Sequence, residues 1–348
     1  VPTGWYPLSL PKYSECFLLR NICVLAEAVC VSKQRNKVVT RIQPRPYISI
    51  GTWFFSFYRR LEKMNNPLVY QTDFGLVDGA VSAMYGVALS VDPTLRIYDL
   101  THEIPPFNVW EASYRLFQTV SYWPEGTVFV SVVDPGVGSD RLSVVPKTKT
   151  NQYIVTPNNG TLSHIAETLG IVEVREIDEA VHRLPNSENS HTFHGRDIYA
   201  YVGAKLASSL AFKKIGRRVP LKKIKTLNHP NPVITETTIA GHIDILDVRF
   251  GNVWTNIERE LFTSFGVKYG DLLEVMITNN HTQVYKNKMT YGKSFADSQL
   301  GEPVLYVNSV DCIGIALNQG SFAEAYGIGT GANWQITIRK LQKQKRAS

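Results

Sequence analysis

The chain has 348 residues, 44% of them hydrophobic and 19% charged, which suits two domains of ordinary size with a real core and excludes a disordered or fibrous chain. The net charge is +7, yet residues 1–63 carry ten Lys/Arg against three Asp/Glu and the remainder carries 27 of each sign. The basic excess therefore belongs to the leading segment, not to a stripe on the body, which argues against nucleic acid or an anionic membrane as a partner.

That leading segment also holds Cys16, Cys23 and Cys30, at a spacing that matches no zinc pattern. Its most apolar stretch, CFLLRNICVLAEAVCV, is shorter than the ~20 residues that span a bilayer and includes Arg20, Asn21 and Glu27. The opening VPTGWYPL has no signal-peptide pattern. No methionine precedes Met64, and patterned sequence begins directly after it. The expectation is that residues 1–63 are upstream sequence or an appendage, with the working protein starting near Met64. A genuine helical extension is the alternative. The expected organisation is a basic extension over 1–65, an α/β domain over 66–222 and a β domain over 229–342.

VYQTDF is a short apolar run ending in turn residues, and VDGAVSAMYGVALSVDP reads as a helix closed by Asp-Pro. LRIYDLT reads as a strand, and NVWEASYRLFQTVSYW has the three-and-four apolar spacing of a helix. TVFVSVVD is continuously apolar, as expected of a strand covered on both faces. QYIVTPNNG repeats strand then turn, GTLSHIAETLG is a short helix with a glycine stop, and RDIYAYVGAKLASSL is a further helix. This alternation predicts an α/β/α layering around a largely parallel sheet. RRVPLKKIKTLNHPNPV is basic and proline-rich and reads as a linker, and the basic tail from Arg339 to Arg346 as a solvated end. Between them short alternating runs predict a small, mainly antiparallel, barrel-like β domain. Its Cys312 lies in an apolar run as a small buried hydrophobe. A body free of disulfides suits a reducing cytoplasm, the expected location.

Asp73 lies in a DFG triplet, but no glycine-rich loop, strand lysine or HRD loop accompanies it, so kinase chemistry is excluded. What remains is a carboxylate just past a buried strand, where ligands of open α/β sheets bind, with Asp78 five residues on. A turn or helix-capping role is the simpler use of either. VVDPGVGSDR places Asp134 at the end of a second buried strand and Arg141 beyond a tight turn. It lacks the Lys-Ser/Thr of a phosphate-binding loop. TFHGRD sets His194 beside a glycine. His191 and His194 lack the company of a metal site. ILDVRFGNVWTNI offers Asp247, Phe250 and Asn252, a carboxylate, a flat ring and an amide suited to a base edge.

Taken in order, TDFG, THEIPPFN, VVDPGVGSDR, TPNNG, TFHGRD, FGNVWTNI and ALNQG resemble the S-adenosylmethionine hydrolase family, hydroxide adenosyltransferases related to fluorinase and chlorinase. The resemblance runs from about residue 66 to 340. It implies an α/β domain, a C-terminal β-barrel and a homotrimer with active sites between subunits. It also implies attack at the ribose C5′ of S-adenosylmethionine with methionine leaving, by water in the hydrolases and by halide in their relatives. Asp134, Arg141 and His194 match the hydrolase set. The halogenating enzymes carry tyrosine where Asp134 stands, lack this histidine, and the fluorinase has a longer loop where PKTKTNQ is short. By the same resemblance Asp73 holds the ribose hydroxyls and Phe107 and Phe193 wall the ribose and sulfonium. Phe250 and Phe295 lie near adenine, and Asn252 reads its edge. Asp78, Asp247 and Ser309 bind the methionine end. Ala80 and Val310 depart from the fluorinase pattern there.

The implied chemistry is sound. A sulfonium is already a cationic leaving group, so the departing thioether needs no proton. Water, with a pKa of roughly 15.7, is the difficult partner. A fixed guanidinium and an imidazole in a dry pocket stabilise developing hydroxide, and Asp134 orients Arg141 and the water. Neither metal nor cofactor is expected in the reaction. A halide-using transferase and a non-catalytic S-adenosylmethionine or adenosine sensor are the alternatives.

Overall fold

The computed structural model describes residues 65–341. The expectations for residues 1–63 and for the end of the basic tail fall outside them. The first sheet contains β1 (Leu68–Thr72), β2 (Ile97–Thr101), β3 (Val128–Val132), β4 (Ser143–Thr148), β5 (Tyr153–Pro157), β6 (Ile171–Glu176) and β7 (Arg218–Val219). The spatial order is β2-β1-β3-β5-β4-β6-β7, and five of the seven strands run in one direction, with β4 and β7 reversed. The expected linker thus begins inside the sheet, since Arg218 and Val219 form its last strand.

Helices cover both faces. α1 (Ala80–Val91) follows β1, and α2 (Val109–Val120) follows β2. Side chains alternate across β1: Leu68 and Tyr70 join Met84 of α1 on one face, while Val69 joins Leu116 of α2 on the other. The α2 start is set by Asn108, whose Oδ1 accepts the Glu111 N–H at 3.0 Å. The short α3 (Ser163–Thr168) lies on the α2 side, and α4 (Glu179–His182) follows β6. A π-helical turn over Gly195–Ala200 leads into α5 (Tyr201–Ser208). The α5 helix seats closely on β3: a Cβ at Gly203 would meet Val130 Cγ2 at 2.3 Å.

The second sheet contains β8 (Val233–Ile234), β9 (Thr238–Asp247), β10 (Asn252–Glu258), β11 (Leu272–Asn279), β12 (Thr282–Tyr291), β13 (Pro303–Val307), β14 (Cys312–Leu317) and β15 (Gly331–Lys340). The order is β10-β14-β13-β12-β11-β15-β9-β8, and the additional β9–β10 pairing closes seven strands into a barrel. Closure removes the sheet edges that an open β domain would expose. All pairs are antiparallel except β12–β13. Arg339, expected at a solvated end, belongs to β15 and stands opposite Glu274. Two short helices, α6 (Arg259–Ser264) and α7 (Phe322–Tyr326), pack against the barrel core. Helix α2 also reaches the barrel. Trp110 Nε1 donates to the Asp244 carbonyl at 2.7 Å, Arg115 Nη2 donates to the Leu246 carbonyl at 2.9 Å, and Tyr114 packs with Ile245 and Trp254.

Candidate active site

Chain order turns around β1: β2 lies on one side and β3 on the other. Carboxyl ends of strands at such a reversal are where open α/β sheets bind ligands. Thr72 of β1 stands opposite Val132 of β3. Asp73 and Asp134 therefore leave the sheet side by side. Burial raises Asp73 above its ordinary value, and the nearby Asp134 adds to this, against the Phe107 N–H donated to Asp73 Oδ2 at 2.8 Å.

Asp134 and Arg141 form a bidentate pair. Arg141 Nε donates to Asp134 Oδ1 at 2.7 Å and Nη2 donates to Oδ2. Their side chains are only 6% and 5% exposed. The turn between them is closed by Ser139, whose hydroxyl donates to the Gly136 carbonyl at 2.7 Å. Arg141 Nη2 also lies 3.3 Å from His194 Nδ1. The three residues expected to carry catalysis thus come together, though drawn from a strand end, a turn and the start of a π-helical turn. Such turns inside helices often mark functional sites. Gly195 follows His194 at a tight place: a Cβ there would meet Phe74 at 3.1 Å and Phe193 at 3.3 Å. Phe193 presents its edge to Phe74, with ring centroids 5.8 Å apart, and the Arg196 guanidinium lies 5.0 Å from its ring centroid.

Other charged partners surround the trio. Arg183 Nη2 lies 3.4 Å from His194 Nε2, and Arg141 Nη1 donates to Ser143 Oγ at 3.2 Å. Ser143 Oγ in turn donates to Glu179 Oε1 at 2.8 Å and lies 3.1 Å from the Tyr199 hydroxyl. Burial holds the His194 imidazole below its ordinary value. Glu179 opposes this, and the Arg141 and Arg183 guanidiniums reinforce it. The imidazole is therefore neutral at neutral pH and can accept a hydrogen bond or a proton.

A second group of expected residues gathers where the barrel meets the loops after β2. A cleft of about 930 Å³ is lined by Asn108, Asp247, Phe250, Asn252, Phe295 and Ser321, among others. Its size suits a small-molecule ligand. Asp247 and Asn252 face each other across the β9–β10 hairpin, and Asn252 Nδ2 donates to Asp247 Oδ2 at 3.2 Å. Asn252 is buried, whereas Phe250 is 66% exposed. The hairpin depends on Gly251, which has a φ of +66° and whose Cβ would fall 1.9 Å from Ser321 Oγ. Asp247 also lines an adjoining cleft with Ser309 and Arg115. Asp78 has the simpler role, since its Oδ1 accepts the Ala80 N–H at 2.8 Å at the start of α1. Phe107 is 71% exposed and holds a left-handed backbone (φ +67°), an uncommon state for an aromatic residue that here aims its N–H at Asp73.

Residues 68–216 match the family model of the SAM hydroxide adenosyltransferase N-terminal domain, and residues 241–335 match that of the C-terminal domain. The chain belongs to the SAM hydroxide adenosyltransferase family. Among its relatives, the (R)-S-adenosyl-L-methionine hydrolase of Methanocaldococcus jannaschii is 36% identical over 234 residues, 66% of this chain and 80% of that protein. The fluorinase of Actinopolyspora mzabensis is 27% identical over 301 residues, 79% of this chain and 99% of that protein. A crystal structure of a conserved protein from Thermotoga maritima is 35% identical, with a TM-score of 0.72 over 78% of this chain and all of that one. Sequence reasoning missed Arg183, Glu179, Ser143 and Tyr199 around His194. The one signal was the four-residue spacing of Glu179 and Arg183, whose side chains meet at 3.5 Å.

Proposed function

We propose that this chain hydrolyses S-adenosyl-L-methionine to adenosine and L-methionine. A water attacks the ribose C5′, the C5′–S bond breaks, and methionine leaves as a neutral thioether. The buried Asp134–Arg141–His194 cluster is the observation that carries this reading. Paired to Arg141 through both oxygens, Asp134 fixes the guanidinium instead of acting as a base. Arg141 stabilises hydroxide character as it develops, and neutral His194 accepts the water's hydrogen bond and takes up the proton that the water loses as the C5′–O bond forms. Stabilisation of this kind is strong where water is excluded.

In this reading Asp73 holds the ribose diol, Phe107 and Phe193 flank ribose and sulfonium, and Phe250, Phe295 and Asn252 receive adenine. Asp247 and Ser309 take the methionine end, with Asp78 at the rim. The expected residues form two groups with apolar side chains open to solvent, including Leu76, Val77, Phe107, Val248 and Phe250. We take these surfaces to be covered by further copies of the chain, so that a homotrimer completes each site.

The test is chromatography of the purified chain with S-adenosylmethionine in low-halide buffer and then with chloride. Adenosine and methionine in both, abolished by His194→Ala, support the hydrolase. A chloride-dependent 5′-chloro product would replace it with a halide-using transferase. Bound but unchanged substrate would replace it with a sensor.

A further inference from the structure

A second polar cluster lies at the seam between the α/β layers and the barrel. His164 comes from α3, His229 from the segment joining the two sheets, and His242 and Asp244 from β9. One potential ligand atom from each of His164, His229 and Asp244 lies within 4.8 Å of the others. His229 Nε2 is 3.1 Å from Asp244 Oδ1, and the His164 and His229 ring centroids are 4.7 Å apart. Trp110 lies against three imidazoles, with centroids 5.3 Å from His164, 5.5 Å from His229 and 5.6 Å from His242. None of these residues belongs to the hydrogen-bonded cluster around Asp134.

Two features distinguish this cluster from an ordinary buried ion pair. The first is an unmet nitrogen. His164 is 2% exposed, its Nδ1 lies 2.8 Å from Ser113 Oγ, and its Nε2 is buried without a hydrogen-bond partner. Leaving a buried polar group unpaired costs roughly 1–3 kcal/mol, so such an atom calls for a reason. With Nδ1–H donated to Ser113 Oγ, Nε2 turns its lone pair into the cluster. The second is the outer shell. Histidines that bind a metal through one nitrogen usually donate the other N–H to a carboxylate, carbonyl or hydroxyl, which fixes the tautomer. His229 Nδ1 meets Glu167 and His164 Nδ1 meets Ser113. His242 Nε2 lies 2.8 Å from Asp244 Oδ1 and, like His164 Nε2, is buried without a hydrogen-bond partner.

We propose that His164 Nε2, His229 Nε2 and the Asp244 carboxylate form a binding site for a divalent first-row transition metal ion, with zinc the best match. Two imidazoles and one carboxylate suit zinc, and they leave a fourth position for water. The ion's role is structural, since its ligands come from the α/β layers, the connecting segment and the barrel. It lies outside the cluster assigned to hydrolysis above and does not depend on that reading. Its alternative is a protonated His229 shared by Asp244 and Glu167, whose attraction outweighs burial and raises its pKa.

The experiment uses the untagged full chain, freed of metal and titrated with cobalt(II) and then zinc(II). The expected result is one cobalt per chain with the visible absorption of a four- or five-coordinate N/O site, displaced by one zinc, and a zinc-dependent rise in melting temperature. His164→Gln should weaken zinc binding at least 100-fold. Glu167→Gln, whose side chain is 41% exposed and so leaves the core intact, should weaken it about 10–100-fold. Failure of the parent chain to bind stoichiometric cobalt or zinc would overturn the site. So would unchanged binding by a folded His164→Gln chain.

Discussion

Replacing Asp134 by alanine should expose how much of the site's rigidity rests on one ion pair. Both side chains are nearly inaccessible, and removing the carboxylate leaves the Arg141 guanidinium with Ser143 Oγ, 3.2 Å away, as its remaining oxygen partner. Breaking a buried pair from one side costs about 3–5 kcal/mol, because the surviving charge stays buried without compensation. Removing both charges is far cheaper. Asp134→Ala should therefore lose about 3–5 kcal/mol, and Asp134→Ala with Arg141→Met should recover most of it. Urea unfolding at neutral pH, followed by circular dichroism across the parent, both single variants and the double variant, closes the cycle. All three variants should lack the proposed hydrolase activity, which separates the pair's structural role from its chemical one. A single variant within about 1 kcal/mol of the parent, or a double variant that merely adds the two single losses, would refute the buried-pair reasoning.

His194 is held below the ordinary ~6.5 of an imidazole. Catalysis that needs its neutral form should therefore hold through neutrality and fall only as the pH drops below that value. Arg183→Gln removes one positive neighbour and should move the acid limb of kcat/KM to higher pH; a limb that stays in place would remove Arg183 from the account. If adenine stacks on Phe250, Phe250→Ala should raise KM by roughly 5–150-fold, since stacking of a base is worth about 1–3 kcal/mol; an unchanged KM would put adenine elsewhere. Gly203→Ala forces a methyl onto Val130 and should cost about 1–3 kcal/mol. Equal stability in urea would contradict the close seat of α5 on β3.

Local pattern made the strand ends legible. β1 and β3 are short, wholly buried runs followed by turn residues, so Asp73 and Asp134 announced themselves as carboxylates at the rim of a sheet. The barrel was legible in its alternation, but the single parallel β12–β13 pair was not, because neighbouring strands in sequence usually pair antiparallel. Arg183 and Glu179 escaped notice because only the tertiary fold turns α4 toward His194. The histidines followed the same logic. His191 and His194, adjacent enough to suggest a metal pair, part company, with one exposed and the other buried. His164, His229 and Asp244 are far apart in sequence and meet only once the barrel docks.

The reach of α2 across the seam bears on how the molecule unfolds. Trp110 and Arg115 end on backbone carbonyls of β9, and Tyr114 contributes to a core whose other members are barrel side chains. Neither half can melt without stranding donors and apolar surface of the other. Calorimetry should then record one cooperative transition where two domains in series would give two. A fragment ending near residue 216 would keep every strand of the parallel core yet leave the outer face of α2 bare, and should aggregate before it populates a stable native state.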